Sequence, residues 1–218
     1  EERGARLSAW RGIGAGYTKF ASEATIDKLA LAANADPVEY RMALLNNDKA
    51  RNVLKAVAEM SDWKRKRTGT ALGVAFSELH GAHVAGVAEV SVDGDGKIKV
   101  HNFWMALDPG TALQPDNIVA QTESNIIYGL SQSIKEQVTI EDGAVQQSNF
   151  HDYEVFRMAD VPNIEVKVMP QGGIPRGIGE LGLPPTAGAV ANAVRALNGA
   201  DLTKMPFTPD RVKAAMKG

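Results

Sequence analysis

At about Thr70 the hydrophobic pattern of this 218-residue chain changes period, from the 3.6 of helices to the 2 of strands. A chain with such a switch must pack helices against a sheet, and that requirement excludes an all-helical bundle and an all-β barrel together. Ahead of the switch, residues 22 to 35 read as a helix N-capped by Ser22, with Ile26, Leu29 and Ala33 along one face. Asp36-Pro37-Val38-Glu39 then supplies a cap, a first-turn proline and a glutamate three residues after the cap, and Tyr40, Leu44 and Leu45 form an apolar side. A third helical run from about Arg51 to Met60 carries Val53, Leu54 and Val57, and Lys64-Arg65-Lys66-Arg67 after it reads as an exposed connector.

Past the switch, Leu72, Val74 and Phe76 alternate, followed by Val84, Val87, Val90 and Val92. Asp93-Gly94-Asp95-Gly96 between Val90-Ser91-Val92 and Lys97-Ile98-Lys99-Val100 predicts a hairpin, and Glu141-Asp142-Gly143-Ala144 predicts a weaker second one. Pro115 opens a helix to about Ser133, with Ile118, Val119, Ile126, Ile127 and Leu130 on its apolar side. Ile164 to Val168 alternates as a strand, residues 170 to 185 form a Gly- and Pro-rich loop, and an Ala-rich helix runs from Thr186 to Leu197. Thr208-Pro209 caps a short last helix. The class is α+β, with a helical segment at 1–67 and an α+β region at 68–218.

Composition narrows the function. Lys and Arg (24) nearly balance Asp and Glu (26), so the basic excess of a nucleic-acid binder is missing. Without cysteine the chain holds no disulfide, thiolate zinc site or iron–sulfur cluster of its own. No apolar run reaches 18 residues, so no membrane span is expected. The start, Glu1-Glu2-Arg3-Gly4, has neither an initiator Met nor a signal pattern, as in a processed or partial chain.

Gly177-Ile178-Gly179-Glu180-Leu181-Gly182 matches G-x-G-x-x-G between a strand and a helix. A dinucleotide site needs a tight strand-to-helix turn, whereas Gly177 comes about nine residues after Val168 and Pro184-Pro185 precede the predicted helix. An acid inside the turn would also repel phosphate, so the fingerprint is rejected. Two readings of the loop stay open: a plain connector, or a backbone bared to a bulky ligand with Glu180 presented as general base. His80 and His83 read as surface or hairpin histidines rather than metal ligands, and no metal site is assigned. Ser77 lacks a nucleophile elbow, and Trp10, Trp63 and Trp104 read as core or interface anchors.

The order of the motifs says more. Trp10-Arg11-Gly12-Ile13-Gly14 is followed by Ile26-Asp27-Lys28-Leu29-Ala30, by Asp36 to Arg41 and by Val87-Ala88-Glu89-Val90-Ser91-Val92-Asp93. Asp108-Pro109-Gly110, Gln121-Thr122-Glu123-Ser124, Ser148 to Tyr153, Gly177 to Glu180 and Thr208 to Val212 come next. In that order the chain resembles the C-terminal part of the molybdenum-binding subunit of the xanthine dehydrogenase and aldehyde oxidase family. Within that family it is most similar to the branch of isoquinoline 1-oxidoreductase beta subunits. It departs at Gln114-Pro115, where members commonly have Asn-Pro, and at Ser124, where many have Gly.

The resemblance implies an oxidoreductase that hydroxylates an aldehyde or N-heteroaromatic with oxygen from water. Its cofactor would be a molybdenum-molybdopterin cytosine dinucleotide, shared with an N-terminal half on an upstream segment or separate chain. Glu180 would match the family's base, Gln121 the glutamine that donates to the pterin, and Gly177 and Gly179 the loop beside it. Electrons would leave to iron–sulfur clusters on a small partner subunit and from there to a further acceptor. A non-catalytic assembly domain with the same fold is the alternative, and the compartment is left open. Alone, the chain is expected to bind no cofactor and to expose an apolar surface around Tyr17, Phe20 and Leu31.

Overall fold

Asp93 makes the turn on which the sheet is built: its Oδ1 accepts from the backbone N–H of Asp95 and of Lys97, both at 2.9 Å. The structure is a computed structural model and describes residues 8–216. The turn joins β2 (Ala82–Val92) to β3 (Ile98–Asp108), and β1 (Ala71–Leu79) pairs antiparallel with the other side of β2. From β3 the chain crosses over through α4 (Pro115–Ile134) and passes a small hairpin of β4 (Ile140–Glu141) and β5 (Ala144–Val145). It then returns as β6 (Asn163–Val168), parallel to β3, which gives the sheet order β1-β2-β3-β6. A parallel return requires such a crossover.

Both faces of the sheet are covered. On one face Leu72, Val74, Ala85, Val87 and Ala106 pack on Val53, Leu54 and Val57 of α3 (Asp48–Met60), with Val38 of α2 (Pro37–Leu44) behind them. On the other, Ala75, Val84, Val90, Phe103, Met105 and Leu107 meet α4 and α5 (Pro184–Asn198). Alternation along each strand assigns successive side chains to opposite cores. The helix α1 (Ala15–Ala32) lies on α5 and beside β1, and α6 (Pro209–Met216) closes the chain. Contact is tightest at Gly73, where a Cβ would stand 2.1 Å from the Ala193 nitrogen and 2.2 Å from the Ala189 oxygen. Only the missing side chain lets α5 rest on β1.

Several expectations are corrected. Helix α1 starts at Ala15, so Ser22 is not its cap but an internal residue whose Oγ donates to the Lys19 carbonyl. Its buried side is not the expected stripe, because Leu29 is exposed and Glu23, Ala24, Asp27 and Ala30 face inward. The reason is electrostatic. Arg41 of α2 donates to Glu23 (2.8 Å) and Asp27 (3.4 Å), and Arg195 of α5 donates to Asp27 (3.2 Å) and Asp201 (2.7 Å). Glu23 also accepts from the N–H of Phe76 on the outer edge of β1, which occupies an edge donor that would otherwise be open. Arg67 is not exposed with its basic neighbours, since it packs inward at 3.3 Å from Glu89 and donates to the Ser61 carbonyl. Helix α2 is capped as expected by Asp36, whose Oδ1 accepts from Val38 and Glu39, but Leu44 points to solvent.

Candidate functional site

The loop between β6 and α5 ends in Gly177 to Leu183, and two elements hold it, α4 and the segment before α1. Asn125 of α4 donates to the Ile178 carbonyl at 3.2 Å, and Gln121, one turn earlier, donates to the Gly179 carbonyl at 3.0 Å. Arg11 reaches across from the segment before α1, its Nε donating to the same Gly179 carbonyl at 2.9 Å. Gly12 follows with its N–H 3.2 Å from Glu180 Oε1. Gly12 is suited to its φ of +89°, and a Cβ there would come 2.8 Å from the end of the Leu183 side chain, which would have to shift. Glu180 is half-buried, and among the described residues nothing donates to its Oε2.

Gly177 and Gly179 are different glycines. Neither has a positive φ, a Cβ at Gly177 would meet nothing within 4 Å, and one at Gly179 would meet only Gln121 Nε2 at 4.0 Å. Packing inside this chain demands glycine at neither position. A bare strip of backbone therefore lies beside one carboxylate and one side-chain amide. An open groove of about 350 Å³ runs along it, lined by Gln114, Asn117 and Gln121 of the α4 end and by Arg176, Ile178 and Gly179. A second groove between α2 and α3, lined by Val38, Met42 and Trp63, contains none of the residues singled out from the sequence as site residues.

The sequence therefore picks out Gln121, Gly177, Gly179 and Glu180, and the structure brings the four together. Arg11 and Gly12 receive no role in the sequence reading, and the only signal for them is the run Trp10 to Gly14. One premise against a dinucleotide site is corrected: Pro184 and Pro185 do not separate the loop from α5 but form its first turn. The site is still unsuited to pyrophosphate, because these two residues have no N–H and the Thr186 N–H is spent on the Leu183 carbonyl. Both prolines and the rest of the first turn are also buried.

Other candidates disperse. His80 sits in the β1–β2 turn, but His83 is buried rather than on the surface, 6.4 Å from the ring of Phe76, because β2 is covered on both faces. Among the described residues no three His, Asp or Glu side chains gather as metal ligands. Ser77 is fully buried, and Trp10 stacks obliquely on Tyr128 with centroids 5.5 Å apart. Tyr17 and Leu31 are exposed at 62% and 48%, whereas Phe20, at 7%, belongs to the core and not to the expected contact surface. No helix among the described residues is long and apolar enough to cross a membrane.

Comparison with known proteins places the chain in a family. The family of molybdopterin cofactor-binding domains matches residues 6–162. The chain is 42% identical to the isoquinoline 1-oxidoreductase beta subunit of Brevundimonas diminuta over 91% of its own length. It is 34% identical to a nicotinate dehydrogenase chain of Pseudomonas putida over 98%. It spans 26% and 20%, respectively, of these relatives. The aldehyde oxidoreductase of Desulfovibrio desulfuricans shares the fold with a TM-score of 0.84 over 95% of this chain and 41% of that one, at 14% identity. The family match covers most of the chain and both relatives exceed 30% identity across nearly all of it, so the chain belongs to the molybdopterin-binding family of xanthine dehydrogenase type.

Proposed function

We propose that this chain is the part of a molybdenum hydroxylase catalytic subunit that supplies the general base, Glu180, and one wall of the cofactor site. The observation that carries the reading is the strip Gly177–Glu180: glycines that packing among the described residues does not require, beside a carboxylate with one oxygen held and the other without a donor among those residues. Gln121 fits the same role. Its Nε2 spends one hydrogen on the Gly179 carbonyl, which leaves Oε1 and a second N–H to meet the donor and acceptor edges of a pterin. Gly177 and Gly179 let that ring system lie against backbone.

When bound, the molybdenum cofactor supplies two-electron oxidation and the transfer of a water-derived oxygen to an electrophilic carbon. With the cofactor in place, Glu180 Oε2 would serve as the proton acceptor for the reacting group, while the Gly12 N–H at Oε1 would hold the carboxylate in a fixed orientation. The cytosine dinucleotide form of the cofactor, iron–sulfur clusters on a small partner subunit and an N-terminal half that completes the site belong to the same reading. The absence of cysteine supports placing the clusters elsewhere. The names of the relatives, an isoquinoline oxidoreductase and a nicotinate dehydrogenase, support an N-heteroaromatic substrate, with an aldehyde as the other class.

The test is Glu180→Gln in the assembled enzyme, assayed at saturating heteroaromatic and aldehyde substrates with molybdenum quantified. Turnover should drop by about 10²- to 10⁴-fold at unchanged metal content. Near-wild-type turnover at equal loading removes Glu180 from the mechanism.

A further inference from the structure

We infer that Arg11 and Ser124 form a latch that positions Glu180 for proton transfer, an inference that rests on Glu180 being the base. Gly179, the residue before Glu180, has its carbonyl held by two donors, Arg11 Nε at 2.9 Å and Gln121 Nε2 at 3.0 Å. Because a peptide unit is planar and trans, fixing that carbonyl fixes the plane that leads into Glu180 and hence where its Cα sits, leaving rotation about the N–Cα bond to be set by the Gly12 N–H at the carboxylate. One of the two donors must itself be held. Arg11 Nη1 donates to Ser124 Oγ at 3.0 Å, and the guanidinium lies 5.6 Å from the centre of the Tyr128 ring.

Ser124 and Tyr128 lie one turn apart on α4, so a rigid helix presents both supports. Guanidinium is a planar fork, and anchoring its Nη1 edge on α4 sets where Nε points. The next residue completes the device, since Gly12 carries the N–H that meets Glu180 Oε1. One four-residue turn, Trp10 to Ile13, closed by the Ile13 N–H on the Trp10 carbonyl at 2.8 Å, thus carries both the donor to the peptide before the base and the donor to the base itself. Among the described residues Ser124 makes no hydrogen bond to Glu180 or to the loop. It acts through Arg11 and is a positioning residue.

The experiment uses the assembled holoenzyme and three variants, Ser124→Ala, Ser124→Thr and Arg11→Lys. For each, kcat, KM and molybdenum content are measured together with backbone amide exchange across 177–183. Ser124→Ala should lower kcat by about 10-fold, the scale of a lost supporting contact, with KM and metal content unchanged and exchange of the loop amides accelerated. Ser124→Thr, which keeps the hydroxyl, should restore both readouts. Arg11→Lys should behave like Ser124→Ala or worse, because a single ammonium does not span two acceptors in the same geometry.

Unchanged exchange and kcat in Ser124→Ala overturn the latch. A loss of kcat that only tracks a loss of molybdenum also overturns it, since Arg11 and Ser124 then hold the cofactor. The exchange measurement keeps this separate from the assignment of the base: a Glu180→Gln enzyme that still turns over refutes the base while leaving the loop dynamics to judge the latch.

Discussion

Glu23 and Asp27 on one side of the molecule and Glu180 on the other are carboxylates in opposite circumstances. The first pair is buried at 4% exposure each and surrounded by two arginines, a backbone N–H and, through Arg195, the side chain of Asn192. Glu180 is half-buried with one backbone donor, and among the described residues no arginine or lysine pairs with it. Saturated acids hold parts of a fold together, whereas an acid with an oxygen to spare can accept a proton from something else. Even with two cations in place, burial leaves the Asp27 carboxyl above its ordinary value, which shows how costly the interior is for charge. Glu180, the proposed base, sits in a milder setting, half-buried on the loop at 177–183.

The contrast is most vulnerable at Arg41. Arg41→Met leaves Glu23 buried without its cation and should destabilise the protein by about 3–5 kcal/mol in chemical unfolding of the full-length enzyme. A loss under about 1 kcal/mol would mean that the network does not constrain α1. Gln121→Ala comes next: each polar group of the cofactor left unmet should cost about 1–3 kcal/mol of binding, read as reduced molybdenum occupancy after purification. Full occupancy with full turnover would reduce Gln121 to a helix residue.

Glu180→Gln, so damaging to turnover, should change unfolding free energy by no more than about 0.5 kcal/mol, as for a residue outside the core network. A large destabilisation would place Glu180 among the structural acids. The smallest effect concerns a third kind of carboxylate, Asp152. The N–H groups of Asn149 and Ser148, with the Ser148 hydroxyl, hold its carboxyl down at about 2 against an ordinary 3.8. Its contribution to the loop is therefore complete above the ordinary value of 3.8, fades as the pH falls toward 2, and is gone below that. Carboxyl NMR should find the midpoint near 2, and a midpoint near the ordinary 3.8 would show that the loop donors do not engage it.

Local chemistry makes much of this legible in the sequence. Asp93 to Gly96 and Asp142-Gly143 announce their hairpins, Asp36-Pro37 announces its helix, and Val53, Leu54 and Val57 find the sheet because their spacing allows only one buried face. Legibility fails where the burying force is not hydrophobic. Periodicity misplaces α1 because its inner face consists partly of Glu23 and Asp27, which read as solvated until Arg41 and Arg195 are brought to them. It starts α5 late because two prolines read as loop although proline suits a first turn. At the site, Gln121 stands out through a family resemblance alone, whereas Glu180 is also marked by its place as a lone acid in a Gly- and Pro-rich loop. Arg11 and Gly12 act 168 residues away along the chain, beyond the reach of any periodicity.

Gly73 matters to anyone redesigning this protein. The spacing between sheet and helix is set there by an absent side chain, with backbone atoms at 2.1 and 2.2 Å from where a methyl would go. Adding that methyl would lift α5 like a lever, and α5 begins immediately after Leu183, the side chain against which Gly12 is seated. A substitution at the third residue of β1 would then change the aim of Glu180, the proposed base. Tolerance to mutation in this domain should accordingly follow mechanical linkage to α5 more closely than distance from the chemistry.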